Sequence, residues 1–405
     1  MGSDATPSPL STAVNSSNEC NIEDSRVSSE SYSGVLSNIS NSLASSLRWC
    51  PTSYEELEKA ESDLLSTLTQ PFKTYFVDIG PGWGLEQNRI RTLEMKVESK
   101  DKQNTTLAES SKENNGIIQK DTQQQSEKIP LVLVHGFAAG IGTWILNLDA
   151  LSTSVDRKIY AIDLIGFARS SRAPFDLSGD VEGQFVESIE RWREKVGIDK
   201  FILLGHSFGG YLCGGYALRH PERVPHVIFA DPWGIQDRQA AQKRTYRFPI
   251  WVRAVHSVFQ AFNPLAVLRV TGPYGPSLVQ KFRGDLREKF RPKLQEDCHK
   301  FLSYIYHCNA QTATGESAFK SLALPFGWPK YPLVNRLVDL DESVSMTFIY
   351  GFKSWIDKTP GEFLRDTLQP DRVDVHIIEG SGHHVYADNY SKFNELVEEA
   401  CAKVV

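Results

Sequence analysis

The sequence predicts an α/β fold, a mostly parallel central sheet with helices on both faces and a helical cap inserted late in the chain. Three observations predict it. Short apolar runs without polar alternation recur, as at Leu131-Val132-Leu133-Val134 and Ile159-Tyr160-Ala161-Ile162. Stretches of helical spacing separate them, as at Phe185, Ile189, Trp192 and Val196. A segment from 233 to about 340 then breaks the rhythm and reads as the inserted cap. Strands buried on both faces read as continuous hydrophobic runs, and strand–helix alternation marks parallel crossovers.

Residues 1–46 hold fifteen serines and few large apolar residues, so this tail is expected to be disordered. Order is expected from 47 to 404, starting near Trp49-Cys50-Pro51-Thr52-Ser53. Ser53 with Glu56, or Thr52 with Glu55, makes a capping box ahead of a helix bearing Leu57, Ala60, Leu64 and Leu68. A polar insert at 98–128 is expected to loop out between early strands. Six strands follow, at Leu131–Val134, Ile159–Ile162, Phe201–Leu204, His226–Ala230, Met346–Tyr350 and Val373–Ile378. Helices are expected at Gln184–Val196, Tyr211–Leu218 and Phe393–Val404.

The formal charge of −6 and pI near 6.0 exclude a nucleic-acid binder, which carries a basic balance. The six cysteines form no Cys-x-x-Cys pair, so no disulfide framework and no metal site are expected, and a reducing compartment fits. No cofactor motif is present. The first fifty residues lack the apolar core of a secretory signal. Met1-Gly2-Ser3-Asp4-Ala5-Thr6 fits the N-myristoylation pattern.

The chemistry is legible around one serine. Gly205-His206-Ser207-Phe208-Gly209 fits G-x-S-x-G, follows an apolar strand and precedes a helical pattern, the context of a nucleophile elbow. A serine hydroxyl needs a base, and His383 in Gly380-Ser381-Gly382-His383-His384 follows the last strand; its neighbour His384 is the competitor. Asp357, in Ser354-Trp355-Ile356-Asp357, gives the order serine, acid, histidine and is the expected orienting acid. Asp231, after the preceding strand, is the alternative. Backbone N–H groups of Phe137 and Phe208 are the expected oxyanion donors.

These residues resemble one subgroup of the α/β-hydrolase-domain family, which contains an N-acyl-phosphatidylethanolamine lysophospholipase and a lipid-droplet co-activator of adipose triglyceride lipase. The likeness runs from about Leu47 to Cys401 apart from the polar insert. It is carried by Trp49-Cys50-Pro51-Thr52-Ser53, Gln184-Phe185-Val186-Glu187-Ser188-Ile189-Glu190, Phe262-Asn263-Pro264-Leu265-Ala266, Tyr304-Ile305-Tyr306-His307-Cys308-Asn309 and Gly382-His383-His384-Val385-Tyr386-Ala387-Asp388. The resemblance implies an α/β-hydrolase fold and a serine hydrolase acting on phospholipid or lysophospholipid esters of the N-acyl phosphatidylethanolamine type. The co-activator branch carries asparagine at the nucleophile position, so Ser207 favours the hydrolase branch. Ala138-Ala139 stands where relatives are glycine-rich, a departure expected to narrow the oxyanion loop and one that leaves the substrate range open.

The family's H-x-x-x-x-D signature spans His383 to Asp388 and has been read as a mark of lysophosphatidic acid acyltransferases using acyl-CoA. In the plainer reading His383 is the triad base and Asp388 starts the last helix. The resemblance further implies a cytoplasmic protein held peripherally on lipid droplets or intracellular membranes, with a triglyceride lipase as a protein partner in a non-enzymatic alternative.

From Arg238 to Lys293 there are twelve Lys or Arg against Asp285 and Glu288. Trp251 and Phe259 recur within it at helical spacing. That pattern suits an anionic lipid surface, with Arg244, Arg247, Trp251, Arg253 and Phe259 as contacts and Trp49 as a further insertion candidate. A lid over the active site is the competing reading.

Overall fold

The computed structural model describes residues 52–95, 128–238, 265–270 and 274–404. Eight strands form one sheet: β1 (Phe72–Gly82), β2 (Leu85–Met95), β3 (Leu131–Val134), β4 (Ile159–Ile162), β5 (Ile202–His206), β6 (His226–Ala230), β7 (Ser345–Gly351) and β8 (Val373–Ile378). They lie in the order β1-β2-β4-β3-β5-β6-β7-β8. The β1–β2 and β2–β4 pairs are antiparallel and the remaining pairs parallel.

Successive strand residues point to opposite faces, and here both faces are buried. Leu131, Leu133, Ile202, Leu204, Ile228 and Ala230 join one core, while Val132, Val134, Leu203, Val227 and Phe229 join the other. This double burial is why the strand sequences show no polar alternation. Helix Val181–Val196 covers the second face through Phe185, Ile189 and Trp192, and the Trp192 indole N–H donates to Thr92 Oγ1 at 2.9 Å on β2. Helix Tyr390–Ala402 packs Phe393, Leu396 and Val397 on the first.

The chain enters this body through helix Tyr54–Leu65, where Ser53 and Glu56 cap each other reciprocally. Of the two frames the sequence offered, the backbone takes this one, and it puts Leu57, Ala60, Leu64 and Leu65 together in the core. The β1–β2 hairpin was not among the expected strands. Its outer strand is half-exposed and lacks a continuous apolar run; the signal was the turn at Gly82-Trp83-Gly84 between two extended stretches.

Between β6 and β7 the chain leaves the sheet for helices including Gly275–Phe282, Gly284–Leu294, His299–Ala310 and Thr314–Leu322. Two basic residues of this insert fasten it to the body: Lys293 to Asp149 and Lys289 to Asp388. Arg269 pairs inside the insert with Glu316. The local charge excess is therefore answered in part by carboxylates outside the 238–293 stretch. Trp49, Arg244, Arg247, Trp251, Arg253 and Phe259 lie outside the described residues, as do positions 1–46 and most of the insert at 98–128. Among the described residues no helix is long and apolar enough to cross a membrane.

Candidate active site

Ser207 sits between the end of β5 and helix Phe208–Arg219, with φ +52° and ψ −117°. That left-handed backbone is unfavourable for a side-chain-bearing residue, at a cost of roughly 1–3 kcal/mol. The surroundings hold it. Ser207 N–H donates to Ala230 O at 3.1 Å, and its carbonyl accepts from Tyr211 and Trp233 N–H groups. The flanking glycines are sterically required: a Cβ on Gly205 would meet the Gly209 carbonyl at 2.5 Å, and one on Gly209 would meet Val134 O at 2.4 Å.

His383 Nε2 lies 3.0 Å from Ser207 Oγ. Its Nδ1 lies 2.6 Å from Oδ2 of Asp231, a fully buried carboxylate directly after β6. The expected acid, Asp357, does not contact His383. Its oxygens accept from Gln236 Nε2 and from the Thr359 N–H. The correction has a physical reason. β6 is the sheet neighbour of β5, so a side chain at its end reaches the histidine, whereas Asp357 lies six residues beyond Gly351 on an outer loop. Asp231 also accepts from Gly351 N–H at 3.0 Å and from the Ser354 hydroxyl, two donors that fix the carboxylate's orientation.

The histidine loop is held from three sides. His206 Nε2 lies 2.9 Å from the His383 carbonyl; burial pushes the pKa of His206 well down, so the neutral ring donates there through Nε2–H. Gly382 N–H donates to Asp388 Oδ2 at 2.8 Å, while Lys289 pairs with Asp388 Oδ1 at 2.9 Å. Asp388 ends the short helix Val385–Asp388 rather than starting the last one. His384, the competing histidine, turns away from the serine: it accepts from Lys289 at 3.2 Å and stacks on His206. Its pKa is also held well down, first by burial.

The turn after β3 lies against Ser207. A Cβ on Gly136 would come within 3.1 Å of Ser207 Cβ and 2.8 Å of His206 Nδ1, so the backbone approaches as only glycine permits. Buried His135 shapes this turn. Its Nε2 accepts from Leu164 N–H at 3.0 Å, leaving Nδ1–H to donate to the Gly136 carbonyl at 2.7 Å. Burial lowers its pKa to about 4, keeping the ring neutral. The N–H of Phe208, first in its helix, has no intrahelical acceptor.

Beside the turn is a mainly apolar cavity of about 310 Å³, lined by Phe137, Ala138, Leu268, Leu286, Phe301 and Tyr386 among others. Ala138 takes φ +60°, which explains why glycine is the easier residue there. Asn309 Nδ2 donates to its carbonyl at 2.8 Å, and Tyr304 OH accepts from Gly142 N–H at 3.1 Å. Helix His299–Ala310 thus braces the turn. Among the described residues no group of His, Cys, Asp and Glu could hold a metal ion.

Sequence reasoning ranked Asp231 second and missed Ser354, His206 and Asp388 as supports. Their roles arise from contacts between distant segments. Only the recurrence of Gly382–Asp388 as one motif hinted that Asp388 belongs with the histidine.

Comparison with known proteins identifies the family and the fold. Residues 129–390 match the family described as alpha/beta hydrolase fold. The chain is 41% identical over 354 residues to a bovine (Bos taurus) (lyso)-N-acylphosphatidylethanolamine lipase, covering 87% of this chain and 93% of the relative. It is 44% identical over 284 residues to the 1-acylglycerol-3-phosphate O-acyltransferase ABHD5 of Rattus norvegicus, covering 70% and 80%. Among solved structures, carboxylesterase CesB from Bacillus subtilis superposes with TM-score 0.54 at 15% identity over 87% of this chain and 99% of that one. A bacterial membrane phospholipase A gives 0.54 at 18% identity over 92% and 98%. At such identities these two speak for the fold alone.

Proposed function

The chain belongs to the α/β-hydrolase family, and we propose that it is a serine hydrolase that cleaves acyl esters of phospholipids or lysophospholipids, with the N-acyl phosphatidylethanolamine type as its substrate class. The carrying observation is the continuous path Ser207 Oγ, His383 ring, Asp231 carboxylate, with separations of 3.0 and 2.6 Å. Ser207 Oγ attacks the ester carbonyl as its proton passes to His383 Nε2. Asp231 holds the imidazole orientation and stabilises the imidazolium. The N–H groups of Phe137 and Phe208 receive the developing oxyanion. As the C–O bond breaks, the leaving alcohol takes the proton from Nε2. Water, deprotonated by the same nitrogen, then releases the fatty acid and regenerates Ser207. The apolar cavity beside the turn suits the acyl chain, and the (lyso)-N-acylphosphatidylethanolamine lipase relative supports the headgroup class.

A second reading, transfer of the acyl group from acyl-CoA to lysophosphatidate, is favoured by the acyltransferase relative and by the His383–Asp388 spacing. In it acyl-CoA acylates Ser207 with release of the CoA thiol, and the lysophosphatidate hydroxyl, deprotonated by His383, takes the acyl group in place of water. Both Asp388 oxygens are engaged by Gly382 and Lys289, so this carboxylate supports the histidine loop in either reaction. Hydrolysis remains the leading reading.

A fluorophosphonate probe is expected to label the wild type and not Ser207→Ala, and the same pair is compared for fatty acid released from lysophospholipid with and without acyl-CoA. Equal labelling of both proteins would remove Ser207 from the mechanism.

A further inference from the structure

The loop after β7, Phe352 to Lys358, carries large aromatic side chains outward beside the catalytic histidine. Phe352 is 57% exposed and Trp355 is 68% exposed. Tryptophan is normally well buried, so a Trp this exposed needs a reason. Its ring centroid stands 5.0 Å from that of His383, which places it at the rim of the reacting groups.

The loop is braced from behind. Phe352 N–H donates to Ile378 O at 3.1 Å and Lys353 N–H to Ser381 O at 2.8 Å. Between the two aromatics, Ser354 turns inward; its hydroxyl donates to Asp231 and accepts from Ile356 N–H. One short segment thus presents aromatics to the outside while supporting the triad carboxylate from within. Its charge is net positive, Lys353 and Lys358 against Asp357. Lys353 is exposed, and among the described residues neither lysine has a carboxylate ion-pair partner.

We propose that this loop docks the protein on an anionic phospholipid surface, with Trp355 and Phe352 inserted at the headgroup level and Lys353 and Lys358 on the phosphates. The occupant follows from the chemistry: an amphipathic indole favours the boundary between water and hydrocarbon, and unpaired lysines favour anionic headgroups. Docking here brings the site's rim to the bilayer, so that an ester can pass to Ser207 without crossing water. The purpose rests on the hydrolase reading; the binding does not.

Partition is read by co-sedimentation with phosphatidylcholine vesicles with and without phosphatidylserine, in a Ser207→Ala background so that no lipid is consumed. The double change Phe352→Ser and Trp355→Ser is expected to lower partition roughly tenfold or more on both vesicles, through lost apolar burial. Lys353→Glu is expected to weaken only the phosphatidylserine case, and only at low salt. Undiminished partition of the double variant would overturn the proposal. A second measurement needs no binding-defective protein: brominated phosphatidylcholine is expected to quench wild-type fluorescence more than that of Trp355→Phe. Equal fractional quenching would equally overturn it. Because binding is read without turnover, a failed probe labelling of Ser207 leaves the docking result standing, and a failed docking leaves the nucleophile in place.

Discussion

β6 and the loop after β7 each deliver an aspartate within reach of chain-order arguments, yet they are different environments. β6 is buried along its whole length, from His226, whose ring bonds Ser345 and Thr347 of β7, to Ala230; Asp231 follows it with no exposed surface. The loop after β7 is an outer segment with exposed Phe352 and Trp355, and its Asp357 accepts from Thr359 N–H and from the Gln236 side chain rather than from His383. A buried carboxylate with fixed donors is preorganised to hold an imidazole, because solvent neither screens nor competes for it. An acid on an outer loop lacks that isolation. Depth and strand adjacency, rather than position in the chain, place Asp231 and not Asp357 against His383.

The largest effect is expected from removing the charge of each aspartate in turn. Asp231→Asn is expected to lower kcat roughly 10⁴-fold, the loss that follows when a triad acid becomes an amide, while Asp357→Asn stays within severalfold of wild type. Steady-state hydrolysis of a soluble ester by both variants checks it. The reverse pattern with both proteins folded would restore Asp357.

A smaller effect is expected at the histidine loop. Asp388→Ala frees Gly382 N–H and Lys289, so His383 drifts from Ser207; a displacement of about 1 Å can cost on the order of 10²-fold. Hydrolysis and acyl transfer are expected to fall together, and Asp388→Asn, which still accepts from Gly382, to recover much of the loss. A selective loss of transfer would instead support a dedicated acyltransferase motif.

The smallest test concerns the buried start of β6. Burial lowers the pKa of His226 to about 4 from 6.5, so the unfolded chain takes up a proton that the folded one refuses. Its contribution is fully present above about 6.5 and is lost as pH falls toward 4. At about 1.4 kcal/mol per pKa unit the full window is worth roughly 3 kcal/mol. Urea unfolding across that range is expected to be less pH-dependent in His226→Gln. An unchanged slope would mean that His226 is not a group that takes up a proton on unfolding.

Local pattern along the chain carries the central strands, the turn at Ser207 and the histidine loop. The doubly buried strands announced themselves because neither face meets water. The elbow at Ser207 was readable because its strained turn demands glycine at 205 and 209, and His383 because its loop follows the last strand as a compact motif. The orienting acid was not readable in the same way, since β6 and β7 both run into loops bearing an aspartate and nothing in either stretch says which carboxylate faces the histidine. That choice, like Asp388 under Gly382 and Asn309 on the Ala138 carbonyl, depends on which segments the sheet order brings within about 3 Å, the reach of a hydrogen bond. Such contacts belong to the tertiary structure, because they join residues whose nearness no periodicity along the chain records.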